Sequence, residues 1–309
     1  MEEIMKRLLD CNYSDIVKFT KKEKLESIRL SEGRIIVCET SVVNEMSVLG
    51  NVSDMEIAAA FGADMILLNI FDIENPKIPA IDVTENKVIS ELKHLTGRLV
   101  GVNLEPVELD LEQKYVLNTT IPKGRTANLQ VVGEAIEMGV DYIVLTGNPN
   151  TGVTNEKIIN AINKISSKYA EKIIIIAGKM HAAGSAKEAG EKIISKEEIE
   201  MFIDSGADVI LLPAPGTVPG ITFEFIHEMI VFIHSKNKLA MTAIGTSQEG
   251  ADETTIKKIA LMCKMAGADL HHIGDAGFGG LDPMNIMNYG ITIRGKRHTF
   301  MRMARSINR

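Results

Sequence analysis

Short β-branched runs alternate with longer amphipathic stretches along the whole chain. The runs are Arg34–Cys38, Met65–Ile70, Arg98–Val102, Tyr142–Leu145, Lys172–Ala177, Val209–Leu212, Leu239–Ile244 and Leu270–Ile273. Each is nearly continuous in hydrophobicity, as strands buried on both faces of a parallel sheet should be. Between them apolar residues recur at helical spacing, as in Asn155–Lys168 and Thr254–Met265. Such alternation predicts repeated βα units.

A repeat sharpens this reading. Gly62-Ala63-Asp64, Gly139-Val140-Asp141, Gly206-Ala207-Asp208 and Gly267-Ala268-Asp269 each close a helical stretch and open the second, fourth, sixth or eighth run. The glycine suits the left-handed position just past a helix C-terminus. Successive copies lie about 60 to 80 residues apart, room for two βα units. Four double units predict a (βα)8 TIM barrel with the four aspartates at the bottom of alternate strands. A doubly wound open sheet holds the same units but does not require this regularity.

The reading gives one domain over 1–309. Residues 1–33 form N-terminal capping helices, 34–282 the barrel and 283–309 a C-terminal helical extension. That extension holds Arg294, Lys296, Arg297, Arg302, Arg305 and Arg309 and, from Arg294 on, no acid. It is either a packing helix or a contact to an acidic subunit or an anionic ligand.

Catalytic groups of a barrel sit where strands end at the C-terminal face. The first run ends at Glu39 and Thr40, the second at Asn69 and Asp72, the third at Asn103 and Glu105. The fourth ends at Thr146, the fifth at Lys179 and His181, and the sixth in prolines. The seventh ends at Gly245, Thr246 and Ser247, and the eighth at Gly274 and Asp275, followed by Gly277 and Gly279. Strand parity aims His272 into the barrel and His271 toward the helices; a one-residue slip exchanges them. Lys179, His272 and Glu105 are the expected catalytic set, with Lys179 as base or nucleophile. Loops after the last two strands are a recurrent phosphate site, so backbone N–H groups of Gly245, Thr246, Gly277 and Gly279 are expected to hold an anion. Asp275 opposes this unless it turns away or holds a cation. The carboxylates of Glu39, Asp72, Glu105 and Asp275 suit a hard cation such as Mg, although no fixed-spacing ligand motif supports one.

Composition narrows the setting. The chain has 309 residues, 45% apolar and 24% charged, with a net charge of -7, which gives no general attraction to nucleic acid. Three widely spaced cysteines (Cys11, Cys38 and Cys263) argue against a disulfide framework and for a reducing, cytoplasmic compartment. No apolar run reaches the ~20 residues of a membrane span. There is no Walker phosphate loop, no paired-cysteine zinc pattern, no nucleophile elbow and no dinucleotide fingerprint after the first run.

Gly274-Asp275-Ala276-Gly277-Phe278-Gly279-Gly280, followed by Ile293-Arg294-Gly295-Lys296-Arg297-His298-Thr299, resembles a bacterial family of barrel proteins without an assigned reaction. Some members carry the label haloacid dehalogenase-like hydrolase. That label implies an Asp-x-Asp pair after the first strand, where this chain has Cys38-Glu39-Thr40. A broader resemblance is to phosphate-binding barrels. Ile143-Val144-Leu145-Thr146-Gly147, with Thr151-Gly152, is weakly similar to the photosystem-biogenesis type. Together these readings anticipate a small anionic or phosphorylated metabolite at the mouth, no nucleic-acid or membrane partner, and room for a homo-oligomer. The protein is then a lyase, isomerase or hydrolase, or a non-catalytic metabolite-binding protein.

Overall fold

The computed structural model describes residues 5–43, 46–107, 121–147, 151–182, 190–245, 248–275 and 281–307. Eight parallel strands pair in sequence order and close on themselves, β8 against β1. They are β1 (Ile35–Ser41), β2 (Met65–Asn69), β3 (Leu99–Leu104), β4 (Tyr142–Leu145), β5 (Ile174–Gly178), β6 (Val209–Pro213), β7 (Leu239–Ile244) and β8 (Leu270–Ile273). This is the (βα)8 barrel that the repeat predicts. β1 and β3 run well past their apolar runs, so Glu39, Thr40, Ser41 and Asn103 belong to the ladder and not to loops. The hydrogen-bonded ladder depends on backbone, so polar side chains extend it wherever the barrel interior accepts them.

The surrounding helices are α3 (Asp54–Ala60), α4 (Val88–Thr96), α5 (Leu129–Met138), α6 (Asn155–Tyr169), α7 (Lys196–Ser205), α8 (Phe223–Ser235) and α9 (Glu253–Ala266). They begin at capping side chains such as Ser53, Thr154, Ser195 and Asp252, which accept from backbone N–H groups of the first turn. Two cores result. Outward strand residues such as Ile66, Val100 and Ile175 pack under the helices. Inward residues such as Val37, Leu67, Val144 and Leu270 fill the barrel. Within that interior the Tyr142 ring lies against Gly101, where a Cβ would sit 2.2 Å from it, and its hydroxyl donates to Ile66 O at 2.6 Å.

The barrel floor is closed by the N-terminal cap, α1 (Tyr13–Ile16) and α2 (Lys21–Arg29). Leu8, Cys11, Ile16 and Ile28 from this segment join the interior core.

The Gly-x-Asp copies complete the floor. Asp64 N–H donates to Ile36 O on β1 at 2.8 Å, and its carboxylate accepts from Ile36 N–H at 2.8 Å. Asp141 does the same with Val100, Asp208 with Ile175 and Asp269 with Ala240. Each aspartate therefore clamps its own strand to the preceding one. Each also meets a basic side chain: Arg294 and Arg302 on Asp64, Lys24 and Lys93 on Asp141, Lys21 on Asp208, and His234 on Asp269.

The basic C-terminal segment is thereby explained. α10 (Pro283–Ala304) breaks at Gly295, whose φ of 74° and ψ of 165° are not helical. The break lets Arg294 and Arg302, one on each side of it, reach the two oxygens of Asp64 at 2.5 and 2.8 Å. Arg305 reaches Asp10 O on the cap. These arginines pack the extension onto the barrel. Among the described residues no helix is long and apolar enough to cross a membrane.

Candidate functional site

The opposite rim is built differently. Val37, Leu67, Leu99, Val144 and Leu270 face the barrel interior. Counting upward by twos along each strand, Glu39, Asn69, Asn103, Thr146 and His272 form a polar layer above them. All five are buried. Ser41 on β1 and Glu105, just past β3, stand one step higher.

His272 Nε2 contacts Glu39 Oε2 at 2.8 Å. A carboxylate only accepts, so Nε2 carries a hydrogen, and in the neutral ring the lone pair is then on Nδ1. That Nδ1 is buried with no hydrogen-bond partner among the described residues. The same is true of Ser41 Oγ, Asn103 Oδ1 and Thr146 Oγ1. Asn103 Nδ2 does reach Asn69 Oδ1, at 3.4 Å. His271, as parity requires, faces the helices: it meets Gly33 O at 3.0 Å and Tyr289 edge-on. Burial lowers its pKa to about 4.

The third expected catalytic residue, Glu105, is held by Arg125 at 2.6 Å, and its N–H donates to Arg125 O. Arg125 belongs to a 3₁₀ turn, Lys123–Arg125, that clips onto the end of β3. No periodic signal in the sequence points to it.

Lys179 is fully buried just past β5. Gly178 has φ +152°, and a Cβ there would lie 2.0 Å from Leu211 O, so only glycine fits. The chain then crosses the mouth. Met180 enters the interior core, and its sulfur would lie 2.2 Å from a Cβ on Gly245. Burial lowers the Lys179 pKa to about 8, opposed by the charge of Glu198 in the first turn of α7. Burial also lowers the His181 pKa; Glu39 opposes this and Lys179 adds to it. The loop after β5 thus brings Lys179 and His181 within electrostatic reach of each other, and His181 within reach of Glu39 across the barrel.

Charge is unevenly spread around the rim. Lys179 and His181 follow β5, and Arg125 lies at the end of β3, where Glu105 pairs with it. The β7–β8–β1 side carries acids: Glu39, Asp275 and Glu249. Glu249, in a 3₁₀ turn after β7, is buried, with its carboxyl carbon 3.6 Å from where a Cβ of Gly274 would stand. Burial, and then the charges of Glu39 and Asp275, push the Cys38 thiol upward in pKa. Of the residues expected around an anion here, Gly245 is described, as is Asp275, whose charge opposes one; Thr246, Ser247, Gly277 and Gly279 lie outside the described residues. The acids expected to suit a hard cation are spread apart: Glu39 meets His272, Glu105 meets Arg125, and Asp72 Oδ1 accepts from Glu74 N–H. Among the described residues no group of three or more His, Cys, Asp or Glu is placed to hold a metal ion.

The family model described as "Domain of unknown function (DUF7916)" matches residues 9–309, and the chain belongs to that family. No curated protein matches it. Among solved structures it is similar to a thiamine phosphate pyrophosphorylase from Pyrococcus furiosus. The identity is 14% and the TM-score 0.48, over 85% of this chain and 97% of that one.

Proposed function

We propose that this member of the DUF7916 family is an enzyme that moves a proton on a small anionic metabolite, of the phosphorylated class, held in the barrel mouth. The observation that supports this is the polar layer. Ser41 Oγ, Asn103 Oδ1, Thr146 Oγ1 and His272 Nδ1 are buried atoms on four strands with no partner among the described residues. Leaving such an atom unsatisfied costs about 1–3 kcal/mol. A polar ligand at the axis would satisfy all four.

His272 is the general base in this reading. Glu39 fixes its tautomer and stabilises the imidazolium formed when Nδ1 takes a proton, the role a carboxylate plays beside any catalytic histidine. Lys179 serves as the anion's counter-charge. With a pKa of about 8, roughly nine in ten Lys179 side chains are charged at neutral pH. That favours ion pairing over a Schiff-base or general-base role, which would grow only at higher pH. The anionic end of the ligand then lies toward Lys179 and His181, away from Glu249 and Asp275.

Calorimetric titration with a panel of sugar phosphates tests the reading, followed by an assay of each binder for turnover. Lys179→Ala should weaken binding at least tenfold. His272→Ala and Glu39→Gln should leave binding within a few-fold but cut turnover by about 10²–10⁴. Unchanged turnover in His272→Ala would exclude the base. Binding without turnover in the wild-type protein would favour a non-catalytic metabolite receptor.

A further inference from the structure

The floor contains a cavity of about 490 Å³, far from the mouth, whose lining includes Arg34, Lys264, Arg294, His298, Glu32 and Asp269. It opens between the start of β1, the α9–β8 turn and the break in α10. We propose that it is a second anion site, for a compact phosphate-bearing polyanion such as pyrophosphate, bound directly by Arg34, Lys264 and His298.

The cationic groups differ in how far they are committed. Arg294 is used up by Asp64, Arg34 O, Gly62 O and Thr299, so it contributes field and not contact. Arg34 is held by Ser31 O and by Glu32, a carboxylate that is 70% exposed. An exposed pair of that kind is weak, so an anion can displace Glu32. Lys264 is exposed at the end of α9. The other acid in the lining, Asp269, already accepts from Ala240 N–H and meets His234.

The potential in the cavity is positive by a separate sign. His298 is held below its ordinary pKa first by burial and then by Arg297, Arg7, Arg34 and Arg294. No aromatic ring other than His298 lines the cavity, so it offers no platform for a nucleobase. That argues for a compact anion over a nucleotide.

The test is titration calorimetry of the full chain with sodium pyrophosphate at low and moderate salt. Wild-type protein should bind, with affinity falling as salt rises. The Arg34→Ala/Lys264→Ala double variant should lose at least tenfold in affinity, and His298→Glu, which places an acid in the cavity, should lose as much. Lys179→Ala should keep this binding event, which separates it from any binding at the mouth. All three variants change groups outside the Asp64 network, and circular dichroism confirms that each folds. No binding at millimolar pyrophosphate, unchanged affinity in the double variant, or loss only in Lys179→Ala would overturn the proposal.

Discussion

The two ends of the barrel bury polar groups in opposite ways. At the floor, each clamping aspartate has a backbone donor and a basic side chain. At the mouth, four polar atoms are buried on the inner wall without a partner among the described residues. The floor keeps one such atom as well, Arg302 Nη2, but its carboxylates are all paired. Satisfied buried groups lock a structure; unsatisfied ones weaken it and leave it ready for a ligand. The floor is thus where stability resides, and the mouth is where it is given up.

The largest test of this contrast lies at the floor. Asp64→Asn keeps the shape but leaves Arg294 and Arg302 buried without a carboxylate. Stability should fall by about 3–5 kcal/mol, read as a lower urea midpoint at unchanged slope. Asp269→Asn should cost far less, because its partner His234 has a side chain 41% exposed. Equal losses in the two variants would show that the clamps, and not the buried charges, dominate.

A smaller effect comes from Lys179. Its pKa is about 8 in the folded chain, against an ordinary 10.5. Between those values the unfolded chain holds a proton that the folded chain has released, so stability rises with pH across that window. Lys179→Met should remove this slope, a difference of up to about 1.4 kcal/mol per pH unit. Urea melts from about pH 8 to about pH 10 measure it, and parallel pH profiles for the two proteins would refute it.

The smallest effect belongs to the orphan atoms themselves. Thr146→Val replaces an unpartnered hydroxyl by a methyl group of similar shape. Stability should stay the same or rise by up to about 1 kcal/mol, while affinity for the mouth ligand falls. A clear loss of stability would mean that the hydroxyl has a structural partner after all.

The sequence disclosed the architecture more fully than the site. Continuous β-branched runs located all eight strands, because a strand buried on both faces has almost no freedom to be polar. Parity placed His272 inward for the same reason. Alternation could not place Lys179, because it holds only while the strand continues, and Gly178 at φ +152° ends it. Arg125 and Glu249 lie in short 3₁₀ turns that carry no period, so their position on the rim was not visible. The Gly-x-Asp repeat revealed the fourfold pattern but not the use of each carboxylate, since its partner is a backbone N–H on the preceding strand. The basic tail was ambiguous until folding placed Asp64 against it, a residue 230 positions from Arg294.

The clamps join β1 to β2, β3 to β4, β5 to β6 and β7 to β8, and skip the junctions between those pairs. The ring is in effect a cask of four double staves. Each stave carries a carboxylate stitch at its base, and no stitch of that kind joins neighbouring staves. A chain reopened at a junction, for instance between β2 and β3 or between β6 and β7, would keep every stitch. One reopened inside a stave would leave a stitch to be made between separate ends. Circular permutants and split halves of this barrel should therefore assemble best when cut at even-to-odd boundaries, so that the fourfold rhythm of the sequence also marks where the protein can be divided.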